Sequence, residues 1–289
     1  MRCEFILNPS AGNGYAGQVM NRLANTLDSW RMAYNIHQTE YPGHAKEIAR
    51  SLSALPADTT VISVGGDGTA SEVAAGLAGT RMSMGIIPAG TGNDFVKTVR
   101  IPKKPEEAMR FMLDRPPRPV DTGTINGEFF LNVCGTGFDV TVLDCAEEKK
   151  SKYRGLLPYM LGLLQAIRVF EPVRISVEYE GEKLEKELLV CSVANGKYIG
   201  GGIPICPAAD AHDGKLNLVM IDSVKRWKIP FYLPGLMLSR DLKFRITRHV
   251  LAERVIIAGK GLRFNIDGEI RKMDRAEFRV FPHSLMLIC

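Results

Sequence analysis

The 289-residue sequence has no Cys-x-x-Cys pair, no Gly-x-x-x-x-Gly-Lys-Ser/Thr loop and no apolar run of membrane-spanning length. Each absence excludes a class. The six cysteines, at 3, 134, 145, 191, 206 and 289, are scattered, and no histidine stands at metal-ligand spacing from them. Buried free thiols in a reducing compartment are therefore expected, in place of a disulfide framework or a zinc site. Without the Gly-Lys-Ser/Thr loop, an ATPase of the P-loop type is excluded. The longest apolar stretch, Gly155 to Ile167, contains Pro158 and Gln165 and falls short of the roughly 20 residues that cross a bilayer as a helix. The run Cys3 to Leu7 is too short for the core of a signal peptide. The expectation is a cytoplasmic protein whose contact with a membrane, if it makes one, is peripheral.

What is present is the composition of a folded globular chain: 45% hydrophobic, 24% charged and 8% aromatic residues. Lys plus Arg exceeds Asp plus Glu by 37 to 32, a net charge of +5. That excess is too mild to indicate a nucleic-acid partner. At about 150 residues per domain, the length predicts two domains.

Up to about residue 115, apolar β-rich runs (3–7, 34–37, 59–64, 84–88) alternate with segments of helical period, such as Val19, Leu23 and Leu27, or Ala45, Ile48, Ala49 and Leu52. That alternation predicts a parallel sheet covered by helices. A further helix over 105–113 precedes the Pro-rich break at 115–119, which sets a domain boundary between 118 and 119. Beyond it, 120–125 and 129–134 flank Asn126-Gly127, a hairpin signal. Strands are expected over 173–179, 184–193, 216–221, 244–247, 255–258, 262–266, 278–281 and 285–288, with helical inserts near 147–169 and 224–240. The second domain, 119–283, should be a mainly antiparallel β-sandwich.

Three glycine-rich loops follow predicted strands of the first domain: Asn8-Pro-Ser-Ala-Gly-Asn-Gly14, Gly65-Gly-Asp-Gly-Thr69 and Pro88-Ala-Gly-Thr-Gly-Asn-Asp-Phe95. Open α/β sheets bind ligands at the carboxyl ends of their strands. Glycine lets backbone N–H groups close on an anion, and a helix N-terminus behind the loop adds partial positive charge. Phosphate is the expected guest. Asp67 and Asp94 would repel it unless a divalent cation lay between, so a metal-nucleotide is favoured. Gly12-Asn-Gly-Tyr-Ala-Gly17 also fits the dinucleotide pattern, but the Gly-Gly-Asp-Gly-Thr loop has no role in a dehydrogenase.

Taken together with Glu72 and Asp267-Gly-Glu269, these loops resemble the diacylglycerol kinase catalytic family of lipid kinases, which includes sphingosine and ceramide kinases and a bacterial branch. The match runs in order from about residue 3 to about 270. It implies a Rossmann-like nucleotide domain of NAD-kinase and lipid-kinase type followed by the β-sandwich, with a last strand, 284–289, that returns to the first domain. By the same resemblance ATP is held by Asn8, Pro9, Ser10, Ala11 and Gly12, by Thr39, by Gly65, Gly66, Asp67, Gly68, Thr69, Ala70, Ser71 and Glu72, and by Thr91. Asp67 organises Mg²⁺, with Asp94 in the same network. A second, structural metal takes the Asp213 carboxylate and the carbonyls of Asp210 and Lys215. Asp267 and Glu269 face the nucleotide across the interdomain cleft and supply the general base, either acid being open. Asn13 stands where some bacterial members carry a lysine. A homodimer is the implied assembly.

The reaction so implied is transfer of the ATP γ-phosphoryl group to a lipid hydroxyl, diacylglycerol first, with a sphingoid base, phosphatidylglycerol or an isoprenoid alcohol as alternatives. NAD kinase shares Gly-Gly-Asp-Gly-Thr but neither the Gly-Thr-Gly-Asn-Asp-Phe loop nor the late Asp-Gly-Glu. A regulator that binds nucleotide without catalysis is the non-enzymatic alternative. The lipid has to come from a membrane surface, here the inner face. Ser223 to Val250 carries Lys225, Arg226, Lys228, Arg240, Lys243, Arg245 and Arg248 against Asp241, among Trp227, Phe231, Tyr232, Leu233, Leu236, Met237 and Leu238. The segment 149–170 begins with Lys149, Lys150, Lys152 and Arg154 and then turns apolar. Both suit an anionic lipid surface at the lipid entrance.

Overall fold

The structure, a computed structural model, describes residues 2–56, 58–150, 153, 157–237 and 245–289. Lys152, Arg154, Leu238, Arg240, Asp241, Lys243 and Phe244 lie outside these. The chain packs as two units. One comprises Met1–Thr122, Ala211–Asp213 and Phe281–Cys289, the other Gly123–Asp210 and Gly214–Val280.

The first unit alternates β1 (Arg2–Leu7), α1 (Tyr15–Ser29), β2 (Tyr34–Gln38), α2 (His44–Leu52), β3 (Thr59–Gly65), α3 (Asp67–Leu77), β4 (Ser83–Pro88), α4 (Asp94–Thr98) and α5 (Pro105–Leu113). Every residue of β3 is buried, as a central parallel strand covered on both faces requires. The expected period of α1 turns Val19, Leu23 and Leu27 into the core beside Ala16 and Met20. All pairings are parallel: β1 lies between β2 and β3, and β4 lies beyond β3. The chain thus leaves β1 toward one edge and returns through β3 toward the other. The crevice at the carboxyl ends of β1 and β3 is the topological switch point, where such sheets bind ligands.

The second unit carries β5 (Arg118–Ile125), which begins in the first, then β6 (Glu128–Phe130), β7 (Val133–Gly137), α6 (Phe138–Lys150), α7 (Leu157–Val169), β8 (Val173–Tyr179), β9 (Glu182–Ala194) and β10 (Leu216–Asp222). A 3-10 turn (Arg226–Lys228), α8 (Ile229–Met237), β11 (Thr247–Ala252), β12 (Arg254–Ala258), β13 (Arg263–Ile266), β14 (Glu269–Lys272) and β15 (Arg275–Leu287) follow. Its pairings are antiparallel, in the order β14-β13-β7-β9-β8-β12-β15, with β10 and β11 branching from β9. One core lies among the strands, around Phe130, Val177, Leu218, Phe264 and Phe278. Another lies where Phe138, Ala166, Phe170 and Ile229 cover Val190 and Val219.

The α/β and antiparallel classes follow the predicted periods, but several boundaries differ. The strand expected over 129–134 breaks at Leu131 and Asn132, whose backbone N–H groups turn to Asp267. The insert expected from 147 begins at Phe138, and β11 begins at Thr247. The strands expected over 278–281 and 285–288 are one strand, β15. The expected cuts at 118/119 and 283/284 fall inside β5 and β15, and the units divide after Thr122 and after Val280. Around Thr122 the first unit is tied by Thr122 Oγ1 to Ser284 Oγ (2.7 Å), by the His283 N–H to Asp121 Oδ1 (2.7 Å) and by the Asp121 N–H to the Ala211 carbonyl (2.7 Å).

Candidate active site

The three glycine-rich loops converge at the switch point. Asn8 Nδ2 donates to Thr69 Oγ1 (3.2 Å), joining the first loop to the second, while Asn8 Oδ1 accepts from the Ser10 N–H (3.2 Å) and hydroxyl (2.8 Å). Gly12 has φ +61° and lies so close to the Ala89 carbonyl that no Cβ fits, which joins the first loop to the third. Gly90 packs on the Cα of Gly66 with the same exclusion, joining the second to the third. Gly68, at the start of α3, faces open space. The Thr39 N–H donates to the Leu7 carbonyl (2.9 Å), so the end of β2 borders the first loop.

The remaining expected ATP contacts differ in their surroundings. Pro9, Ser10 and Thr91 are exposed, Ala11 and Ser71 are half-buried, and the Gly65 carbonyl accepts the Ala89 N–H (2.7 Å). Ala70 is buried, its N–H donating to the Gly66 carbonyl (3.0 Å), so its methyl group belongs to the core. Glu72 is engaged: its two oxygens accept the N–H groups of Gly43 (2.9 Å) and Ala45 (3.1 Å), capping α2.

Asp67 Oδ1 accepts the N–H groups of Asp94 (2.6 Å) and Phe95 (3.3 Å), at the start of α4. Burial, and after it the neighbouring Asp94 carboxylate, raises the Asp67 pKa to about 6 against these hydrogen bonds. Asp94 pairs with Lys97 Nζ at 2.8 Å. Sequence reasoning passed over Lys97, although an Asp-x-x-Lys spacing at a helix start places such a pair on one face. Two acids close together in a desolvated place, beside backbone amides and glycines, suit a divalent cation with a phosphate chain. Asp67 and Asp94 are the residues that would hold it. Among the described residues no three His, Cys, Asp or Glu side chains converge on one point. A cation here would therefore take the rest of its shell from phosphate, water and carbonyls. Of the expected second metal set, Asp213 is exposed in the first unit, Asp210 is exposed in the second and Lys215 there is half-buried.

In the second unit Asp267 and Gly268 form the two-residue turn between β13 and β14, with φ of +47° and +103°. The turn separates the two candidate bases. Asp267 Oδ2 accepts the Leu131 N–H (2.7 Å), and its Oδ1 accepts those of Asn132 (2.9 Å) and Val133 (3.1 Å). Glu269 is exposed, with Arg271 Nη2 at 3.0 Å from Oε2. Asn265 Oδ1 accepts the Gly268 N–H (2.8 Å), and Asn265 Nδ2 reaches Asp139 Oδ2 at 3.5 Å. Asp139 Oδ1 is buried without a hydrogen-bond partner, and burial raises the Asp139 pKa to about 6. Neither Asn265 nor Asp139 was expected. The available signal was Gly137-Phe-Asp139, another glycine followed by an acid at a strand-to-helix junction.

Two family models match the chain in turn. The model of the diacylglycerol kinase catalytic domain matches residues 2–125, and that of the YegS C-terminal NAD kinase beta sandwich-like domain matches residues 132–289. A diacylglycerol kinase of Mycobacterium tuberculosis (strain H37Rv) is 31% identical over 255 residues, 85% of this chain and 82% of its own. A diacylglycerol kinase of Bacillus subtilis (strain 168) is 26% identical over 96% of this chain and 92% of its own. A crystal structure from Bacillus anthracis str. Sterne, described provisionally as a diacylglycerol kinase, superposes with a TM-score of 0.78 at 27% identity. It covers 99% of this chain and 96% of its own.

Proposed function

We propose that this chain, which belongs to the diacylglycerol kinase and YegS-like family of bacterial lipid kinases, phosphorylates diacylglycerol to phosphatidic acid. Lipid kinase activity with ATP and Mg²⁺ is the family's chemistry. The choice of diacylglycerol rests on the activity for which the Bacillus subtilis and Mycobacterium tuberculosis relatives are named. The inner membrane face is where such a lipid would be met. The observation that carries the reading is the meeting of three glycine-rich loops at the switch point, with two carboxylates beside them.

In this reading the loop amides and the N-terminus of α3 bind the phosphates of ATP. Asn8 and Glu72 act as positioning residues, Asn8 by fastening the first loop to Thr69 and Glu72 by fixing the start of α2. Asp67 and Asp94 would hold Mg²⁺, which would supply charge neutralisation for the phosphates. Glu269 accepts the proton of the lipid hydroxyl as its oxygen bonds to the γ-phosphorus. The bond from that phosphorus to the bridging oxygen breaks, and ADP leaves. The geometry favours Glu269 over Asp267 as the base because the oxygens of Asp267 are engaged by three backbone N–H groups. Asp267 is a positioning residue.

Transfer from labelled ATP to lipids in mixed micelles tests this. Diacylglycerol should be labelled in preference to a sphingoid base, phosphatidylglycerol, an isoprenoid alcohol or NAD. Glu269→Gln should lose about 10²- to 10⁴-fold in kcat, and Asp67→Asn should abolish transfer. Near-parental turnover of Glu269→Gln would refute its role, and labelling of another acceptor would replace the substrate.

A further inference from the structure

Helix α7 exposes more large apolar side chains than a helix that only packs on its own protein would. The residues it buries are small, Pro158, Gly162 and Ala166, spaced four apart. A Cβ at Gly162 would stand 2.7 Å from the Ala146 nitrogen of α6, so the two helices approach closely along this stripe. Leu163 and Ile167 pack partly buried against the core beside them, but Leu157, Met160 (62% exposed) and Leu164 (58%) stand three and four apart on the other face and point outward. At the C-terminal end of α7, Arg226 of the 3-10 turn donates through Nη1 to the Arg168 carbonyl (3.2 Å) and lies 3.6 Å from Glu171. The next element therefore begins beside α7. It exposes Trp227 (63%) and Phe231 (74%), in edge-to-face contact with ring centroids 6.2 Å apart. Lys225, Arg226 and Lys228 surround Trp227 and are exposed, with Lys228 Nζ 5.4 Å from the centre of its ring.

The geometry points to this face, α7 with the 3-10 turn and the start of α8, as the surface that enters an anionic lipid bilayer. Leu157, Met160, Leu164 and Phe231 enter the acyl region, Trp227 lies at the headgroup level and the three cations meet lipid phosphates. A lone apolar stripe would fit a second copy of the chain equally well. The cations decide for the membrane, because a symmetric copy would bring Lys225, Arg226 and Lys228 against like charge, whereas an anionic leaflet attracts them. Among nearby acids, Glu171 is shared with Arg226 and Glu148 with Lys149 and Gln165. The inference rests on the reading of a lipid acceptor and specifies how the enzyme reaches it.

The test is binding of the full chain to vesicles, without ATP, so that it is independent of catalysis. Phosphatidylcholine vesicles are compared with vesicles in which about a third of the lipid is phosphatidylglycerol. Trp30→Phe leaves Trp227 as the only tryptophan, since the sequence has two. Its emission should shift to the blue and be quenched by brominated acyl chains only on the anionic vesicles. Phe231→Ser with Met160→Gln should weaken binding by about tenfold or more, and Lys225→Glu with Lys228→Glu should remove the preference for anionic lipid. All four positions are exposed, so folding is not at stake. Kinase activity on a short-chain acceptor dispersed in water should persist in these variants. Its absence in the parent chain would instead sink the lipid kinase reading. Unquenched Trp227 and unchanged vesicle binding would overturn the membrane face. Conversion of a dimer to a monomer by Phe231→Ser with Met160→Gln would assign the face to a second copy.

Discussion

Near neutral pH the Asp67 carboxylate is ionised in a place that resists the charge, since burial and Asp94 raise its pKa to about 6. Between its ordinary value and about 6 the folded chain holds a proton that the unfolded chain has released. Stability therefore falls as pH rises through that window, and the cost is fully present above it. Asp67→Asn removes the cost while its amide oxygen can still accept the Asp94 and Phe95 N–H groups. Without Mg²⁺ or nucleotide, this variant should be more stable than the parent by about 1–2 kcal/mol near pH 7.5. The difference should vanish toward about pH 4 in urea titrations. The carboxylate whose ionisation is opposed in this way is one of the two proposed to hold the cation. In the proposed mechanism Asn265 would be another positioning residue. Asn265→Ala should lower kcat more than it raises KM, because the Gly268 N–H beside Glu269 loses its acceptor. A purely structural role would leave the KM-to-kcat pattern and the pH profile unchanged.

At the scale of elements, period carried most of the prediction, and what it missed includes a break set by long-range hydrogen bonds. Strand β3 is a wholly buried, largely β-branched run ending in Gly65, so 59–64 was legible almost to the residue. The break at Leu131 and Asn132 was not legible, because its cause is a carboxylate 135 and more residues away. Nor was β14, a short, mostly exposed strand with no buried face to pattern it. The glycine loops were legible as one site because glycine declares backbone approach in its own identity. The occupation of Glu72 and Asp267 by backbone amides was hidden, because an acid reads the same whether it faces a ligand or caps a neighbour. The helical hairpin of α6 and α7 offers a separate check. Gly162→Val would press a branched side chain into Ala146 and the Val142 carbonyl, costing about 1–3 kcal/mol in thermal or denaturant unfolding.

For the molecule as a whole, length and composition predicted two domains, and two units are found, but the chain does not visit them in turn. The first unit takes Ala211–Asp213 and Phe281–Cys289 from far along the sequence. Leu285 and Leu287 are fully buried, and Met286 and Leu287 pair with Ser83 and Met84 of β4. Leu287→Ala should cost about 2–4 kcal/mol, and calorimetry should show the loss in the transition that ATP and Mg²⁺ raise. No described helix is long and apolar enough to cross a membrane.

The late arrival of β15 also orders events during synthesis. When residues 1–122 have left the ribosome, β4 still presents a free edge, and an uncovered parallel edge invites pairing with another chain. That edge closes only after the whole second unit has been made. The nucleotide-binding half, first to be translated, is thus last to be completed. Nascent chains stalled before residue 281 should therefore depend on chaperones more than released ones do.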